Sequence, residues 1–401
     1  MCYKPPFPPV DGGTLAMNSV TQGMLRAGVE VKVVSVSSEK HPVCEEALND
    51  GYRQQTAFEA LPVDLAIHPL EAAVALLCGE SYNVKRFYNR ALERRLEELL
   101  REAQEAGKPF DVIQVESIFM APYVEVLRRH SAGAAIVLRA HNVEHRIWRQ
   151  RALREKQAAK RWYLKKLALA LRQYELEQMN RFDGIVCITP DDADGFKAEG
   201  CRKAVTDIPF GIDLPAATTA ATEVDSLFHI GAMDWQPNVD GVRWLLDEVW
   251  PLLHREMPQL RLYLAGRKMP ADLLTMQQEG VTVMGEVADA AAFMAGKQLN
   301  VVPLQVGSGL RIKIIEAMAQ GKTVISTSVG ASGIACRDGE HLLVADTPEQ
   351  FVARVKRCVA EPEWARQIGQ NARRLVAERY TTEVCTERFL QFYNKIRKAS
   401  L

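Results

Sequence analysis

Short apolar runs alternate along the chain with longer segments in which apolar residues recur every three or four positions. The runs read as buried strands and the longer segments as helices with one apolar face. Their alternation predicts βαβ units and parallel sheets covered by helices on both faces. The pattern occurs twice. In the first half the strand candidates are VEVKVVSVS (29–37), TAFEALPV (56–63), FDVIQVE (110–116), AAIVLRA (134–140), GIVCIT (184–189) and AVTDIPFG (204–211). In the second half they are SLFHIG (226–231), LRLYLAG (260–266), VTVMG (281–285), LNVVPL (299–304), KTVIST (322–327) and HLLVA (341–345).

Two doubly wound α/β domains account for this pattern, the first over 1–211 and the second over 226–382. The stretch between them, 212–225, is rich in Ala and Thr and poor in large apolar residues, which is linker composition. The segment 383–401 carries one more helical pattern after the second sheet is complete. It either packs on the second domain or returns to the first. The start of the chain is unusual. MCYKPPFPPVDGG enters a Pro-rich turn almost at once, so the central strand of the first sheet is nearly missing. Either that strand begins upstream of Met1, the preferred reading, or Met1 to Tyr3 is its stub.

Composition narrows the class. The 50 Lys and Arg balance the 50 Asp and Glu, which argues against a nucleic-acid partner. Eight widely spaced cysteines form no C-x-x-C pair or zinc spacing and predict reduced thiols in a cytoplasmic protein. A signal peptide and the roughly 18-residue apolar run that spans a bilayer are both lacking.

In a doubly wound sheet, ligands bind beyond the carboxyl ends of the strands where strand order reverses. In the second domain that places GAMDWQPN, from Gly231 through Asn238, beside QVGSGLRIK, with Gly307, Ser308, Gly309, Arg311 and Lys313. Two cations in the first turn of a helix oppose the helix dipole, unless an anion sits there. Glycines that let backbone N–H groups approach closely at a helix start are a common phosphate cradle. The loop is neither a Walker A sequence nor a full G-x-G-x-x-G fingerprint, so an ATPase or a nicotinamide enzyme is weakly supported. Glu316, deeper in the helix, could accept both hydroxyls of a ribose or sugar. His141 lies just past a strand in the first domain, on the ligand side of its sheet, with Glu144 in the same loop. DDAD (191–194) reads as helix capping rather than a metal motif. No metal ligands and no cofactor are signalled.

These residues resemble a known family. EAMAQGKTVISTSVGASGI after a Gly-rich turn, together with PPFPPVDGGTLAM, RAHNVEH, PFGID and GEVAD in that order, is similar to the retaining nucleotide-sugar glycosyltransferases of family 4. The resemblance covers nearly the whole chain. It implies the GT-B fold: two Rossmann-like domains facing across a cleft, with acceptor on the first and a nucleoside-diphosphate sugar on the second. It further implies that His141 touches the transferred sugar and that the amides of Gly12 and Gly13 face the donor. Transfer with retention, onto a glycan or lipid-linked acceptor in bacterial surface or exopolysaccharide synthesis, is the implied activity. Two departures stand out. The family's Glu-x7-Glu pair keeps only Glu316, since Ser308 occupies the first position, and the Gly231 loop lacks the usual Arg and Lys. Arg311 and Lys313 are then the main cations for a diphosphate. The same departures leave two alternatives: an inactive scaffold of this fold that binds a ligand, or a nucleotide-sugar epimerase. Finally, Arg146 to Arg181 is basic with interleaved Trp148, Trp162 and Tyr163, a pattern equally compatible with a peripheral membrane contact and with a solvated helix.

Overall fold

The computed structural model describes the chain except residues 45, 47, 49, 132, 216–222, 308 and 401, and the side chains of 223, 224, 399 and 400. Ser308 and most of the expected linker 212–225 therefore lie outside the described residues. The chain divides into two compact units, one of Met1–Gly211 with Thr382–Leu401, the other of Ile212–Thr381.

All twelve expected strands form. In the first unit they are β1 (Val34–Ser37), β2 (Glu59–Pro62), β3 (Val112–Glu116), β4 (Ala135–Ala140), β5 (Gly184–Cys187) and β6 (Ala204–Asp207). β3-β4-β5-β6 and β1-β2 pair in parallel. Residues Met1 to Tyr3 join these two groups, in the place of the central strand. Val36 N–H donates to Cys2 O at 2.9 Å on one side, and Glu116 N–H to Met1 O at 2.9 Å on the other. The stub thus sits between β1 and β3. Three residues can hold that place because their backbone groups are satisfied from both neighbours.

The central strands β4 and β5 are buried on both faces and read as near-continuous apolar runs. Ile136, Leu138 and Ile185 pack on one side with Val115 and Phe182. On the other side Val137 and Val186 pack under Phe389, Phe392 and Ile396. Those three residues belong to the last helix, Thr382–Ser400, so the end of the chain packs on the first unit.

The second unit holds β7 (Glu223–Ile230), β8 (Arg261–Ala265), β9 (Val281–Gly285), β10 (Lys297–Val302), β11 (Thr323–Ser326) and β12 (Leu343–Val344) in one parallel sheet. Its order is β12-β11-β10-β7-β8-β9, which reverses between β7 and β10. One face carries Leu227, Leu262, Leu264 and Val301 against Val242, Leu246 and Trp250. The other carries Phe228, Val302 and Val324 against Ile314, Ile315 and Met318. β10 ends two residues earlier than its apolar run because Pro303 has no N–H to continue the ladder. The chain is turned out of the sheet at the reversal point, where a ligand loop belongs.

Candidate functional site

In the second unit, β7 is followed by the loop 231–235 and the helix Gln236–Trp244, and β10 by the loop 303–311 and the helix Ile312–Ala319. Arg311 is the N-cap of the latter, and Lys313 lies in its first turn. The two loops meet. Lys313 Nζ donates to Asn238 Oδ1 at 2.7 Å, while Asn238 Nδ2 donates to the Ala232 carbonyl at 2.7 Å. A Cβ on Gly231 would stand 3.1 Å from Asn238 Nδ2 and 3.2 Å from Lys313 Nζ, so a larger residue there would crowd this contact. Gly307 and Gly309 adopt φ values of 140° and 82°, which glycine tolerates and most residues do not.

Two cations are drawn out of solvent at this junction. Arg311 is buried, its Nη1 donates to Gly309 O at 2.6 Å, and its guanidinium stands 5.8 Å from the Trp235 ring centre. Burial pushes its pKa down to about 10. The half-buried Lys313 is pushed down to about 7, first by desolvation and then by the charge of Arg311. Beneath them His229 is fully buried and donates from Nδ1 to Val301 O at 2.8 Å. Burial, then the charge of Lys313, pushes His229 down to about 3, so it is neutral and adds no charge. Among the described residues, no carboxylate forms an ion pair with Lys313. Glu316 lies on the same helix. Solvent reaches it, yet enough protein surrounds its carboxyl for desolvation to raise its pKa.

The sequence reading missed two cations. Arg267 and Lys268 directly follow β8, the neighbour of β7, and reach Asp234 of the Gly231 loop at 3.5 and 3.7 Å. Applying the strand-end rule to β8 as well as β7 would have found them.

In the first unit, His141 follows β4 and Glu116 ends β3. His141 Nε2 lies 2.7 Å from Glu116 Oε2, both side chains are buried, and the Tyr3 ring stands edge-on to the imidazole at 5.5 Å. Burial alone would raise the Glu116 carboxyl. The hydrogen bond and charge of His141, with help from Arg139, outweigh burial and hold it below the usual carboxylate value. Gly12 and Gly13 open the helix Gly12–Arg26, capped by Asp11, whose Oδ1 accepts from Thr14 N–H at 2.9 Å. Lys4 Nζ is 2.6 Å from Asp11 Oδ2. A Cβ on Gly13 would come within 2.5 Å of Tyr3 Oη and 3.3 Å of Lys4 Nζ. Tyr3 thus connects the Gly12–Gly13 turn to His141.

Glu144 starts the helix Glu144–Arg154 and accepts from Asn142 Nδ2 at 3.3 Å. Burial, then the charges of Glu175 and Asp192, push its pKa up to about 7. His145 plays a structural part. Its Nδ1 is 2.6 Å from Glu175 Oε2, and Glu175 also accepts the backbone N–H of Glu144 and His145 at 3.0 and 2.9 Å. Thr189 caps the DDAD helix, accepting from Asp192 N–H at 3.2 Å, with Asp191 and Asp192 in its first turn.

Comparison with known proteins shows the family. Residues 10–215 match the model described as Glycosyltransferase Family 4, and 225–361 the model described as Glycosyl transferases group 1. The chain is 22% identical over 299 residues to a 44.6 kDa protein of the cps region of Klebsiella pneumoniae, covering 71% of this chain and 74% of that one. It is 26% identical over 250 residues to the phosphatidyl-myo-inositol mannosyltransferase of Mycobacterium tuberculosis, covering 58% of this chain and 65% of the relative. Among solved structures, sucrose-phosphate synthase from Thermosynechococcus elongatus superposes with a TM-score of 0.66 at 16% identity, covering 99% of this chain and 98% of that one. Anabaena HepE in complex with UDP superposes with a TM-score of 0.64 at 13% identity, covering 98% of each chain. With strand order, strand-end loops and both family models in agreement, the chain belongs to the family 4, group 1 glycosyltransferases and is a glycosyltransferase enzyme of the GT-B fold.

Proposed function

We propose that the protein transfers a hexosyl residue from a nucleoside-diphosphate sugar to a glycan or lipid-linked acceptor at a membrane surface, with retention of configuration. The observation that carries the reading is the pair of desolvated cations, Arg311 and Lys313, at the reversal point of the second sheet. A diphosphate bound there would place its negative charge beside both cations. Breaking the bond from the anomeric carbon to the diphosphate leaves charge on the departing phosphate. Fixed positive charge at that position stabilises the transition state more than any other single factor. Arg311, Lys313 and the amides of Gly307 and Gly309 would supply it, with Gly231 and Asn238 shaping the floor. Ser308 falls within this loop by sequence. Glu316 is assigned to hydroxyls of the ribose or the sugar. In a retaining displacement on one face, the acceptor proton can pass to the departing phosphate oxygen, so the scheme requires no metal. Solved structures of HepE with UDP and with UDP-glucose support a nucleotide sugar as the ligand of this fold.

The acceptor is assigned to the first unit, near Glu144, and His141 to the transferred sugar. Relatives from a cps region and with a phosphatidylinositol substrate in their name support a surface glycan or lipid acceptor. No helix among the described residues is long and apolar enough to cross a membrane. The helix Pro69–Cys78, however, buries its alanines Ala72 and Ala75 and exposes Leu70, Val74 and Leu77. It packs against the helix Ala158–Gln178, whose Lys160, Arg161, Lys165 and Lys166 are exposed together with Trp162. Aliphatic residues bordered by cations suit the surface of an anionic bilayer. A cytoplasmic protein docked peripherally by this face would meet a lipid-linked acceptor there.

Thermal unfolding with UDP, GDP and ADP tests the donor assignment. One of them raises Tm of the wild type by mass action and fails to raise that of an Arg311→Ala, Lys313→Ala variant. Equal shifts in both proteins would refute the placement.

A further inference from the structure

We infer that Glu116 is the positioning residue of His141, fixing which ring nitrogen the imidazole offers to substrate. The inference rests on the proposed role of His141 as a contact to the transferred sugar. Glu116 and His141 stand at the carboxyl ends of the adjacent strands β3 and β4, where register pairs Glu116 with Arg139, two residues before the histidine. Held below the usual carboxylate value, Glu116 is ionised and can only accept hydrogen bonds. The 2.7 Å contact to His141 Nε2 therefore requires the proton on Nε2. Whenever the ring is neutral, this leaves Nδ1 as the acceptor.

The other oxygen of Glu116 is also held. Gln114, two residues earlier on the same face of β3, donates from Nε2 to Glu116 Oε1 at 2.5 Å. This orients the Gln114 amide with its carbonyl outward, where the Tyr393 hydroxyl donates to it. Tyr393 belongs to the helix Thr382–Ser400. Phe389, one turn earlier on that helix, covers the guanidinium of Arg139 at 4.9 Å. Arg139 is completely buried, donates to the carbonyls of Cys187 and Ile208, and places its charge near Glu116. Tyr393, Gln114 and His141 thus form a set of donors whose hydrogen bonds lead to the carboxylate. A purely structural role would be met at lower cost by apolar residues, because burying ions is expensive even when they are paired. A directed network ending on a histidine at the ligand side of the sheet instead serves to hold one tautomer and one ring orientation.

The test is a long-range ¹H–¹⁵N spectrum of the histidine rings in the full-length protein. It is recorded as a function of pH, and the tautomer is read where the ring nitrogen shifts themselves show a neutral ring. The His141 signals are identified by their loss in His141→Gln. The wild type shows the Nε2–H tautomer with a slowly exchanging ring proton. Glu116→Gln, which has the same shape but can donate, shifts His141 toward the Nδ1–H form and leaves the other histidines unchanged. Tyr393→Phe keeps the tautomer, since the carboxylate still only accepts, but speeds exchange of the ring proton. In transfer assays, Glu116→Gln lowers kcat on the order of 100-fold, the effect of a misplaced reacting partner, with KM for the donor unchanged. A wild-type Nδ1–H tautomer, or a Glu116→Gln spectrum identical to wild type, overturns the inference. The spectra do not depend on finding a donor, so a failure of the proposed activity remains distinguishable from a failure here.

Discussion

Replacing Lys313 with methionine should weaken nucleoside-diphosphate binding in a pH-dependent way, and the structure sets the window. In the ligand-free protein the lysine is pushed down to about 7, chiefly by desolvation and further by Arg311. A bound diphosphate favours the charged form, so above pH 7 binding must take up a proton. Affinity of the wild type should then fall by up to about tenfold per pH unit between pH 7 and 9, one pKa unit corresponding to about 1.4 kcal/mol. The terminal phosphate titrates near pH 6 and does not confuse this range. Near pH 6.5 a charge-assisted bond from Lys313 is worth about 1.5–3 kcal/mol, so Lys313→Met should raise Kd by roughly 10- to 150-fold. The difference should shrink toward pH 9, where the wild type has lost its charge as well. Stability moves the other way. Between pH 7 and the unfolded value of 10.5 the unfolded chain binds a proton that the folded chain does not, so this residue makes the free protein more stable as pH rises. Around pH 7 and below, where the buried cation is unfavourable, Lys313→Met should raise Tm of the ligand-free protein. Calorimetry in buffers of different ionisation enthalpy, alongside thermal unfolding, reads both effects. A wild-type Kd that is flat from pH 7 to 9, or a variant that keeps the wild-type slope, would refute the reasoning.

Three further expectations follow from other parts of the molecule. Glu144 titrates near 7 when folded, against 4.5 for the free group, because of burial and then Glu175 and Asp192. Stability from this group should therefore fall as pH rises from about 4.5 to 7. Glu144→Gln should be more stable than wild type at pH 8 and equal to it near pH 4, as measured by denaturant unfolding; equal stability at both pH values would count against that environment. Leu70→Glu with Leu77→Glu, at side chains 83% and 86% exposed, should leave Tm unchanged and abolish sedimentation with anionic vesicles. Vesicle binding equal to wild type would reject the helix Pro69–Cys78 as the docking face. Phe389→Ala should destabilise the first unit by about 3–5 kcal/mol, because it opens a cavity over Val137 and Val186 and uncovers Arg139. Unfolding curves matching wild type would show that the last helix is not needed there.

The parts of this structure that were legible in the sequence share a physical reason. Strands of a parallel sheet are buried on both faces, so VLRA or VVPL stands out as an apolar run whatever the partner strand is. The loops after Ile230 and Val302 follow from strand order alone, which is why Gly231, Asn238, Arg311 and Lys313 could be grouped before any coordinates. Contacts set by register could not be read in this way. Glu116 meets His141 because β3 and β4 align Glu116 with Arg139, and nothing local in either segment encodes that alignment. Arg267 and Lys268 meet Asp234 across the β7–β8 pair for the same reason. Met1 to Tyr3 could be offered only as one of two readings because three residues are too few for a periodicity. What marks them as a strand is two neighbours donating to their carbonyls. Likewise the helical period of 383–398 shows an apolar face without showing which sheet it covers.

Phosphorus NMR of the wild-type enzyme incubated with a panel of nucleoside-diphosphate hexoses, with and without an anionic-vesicle extract carrying lipid-linked acceptor, tests the central claim most directly. The account predicts release of one nucleoside diphosphate, faster with acceptor, and loss of that release in Glu316→Ala and in the Arg311→Ala, Lys313→Ala variant. A folded wild type that releases nucleoside diphosphate from none of these sugars, or variants that release it at the wild-type rate, would contradict it.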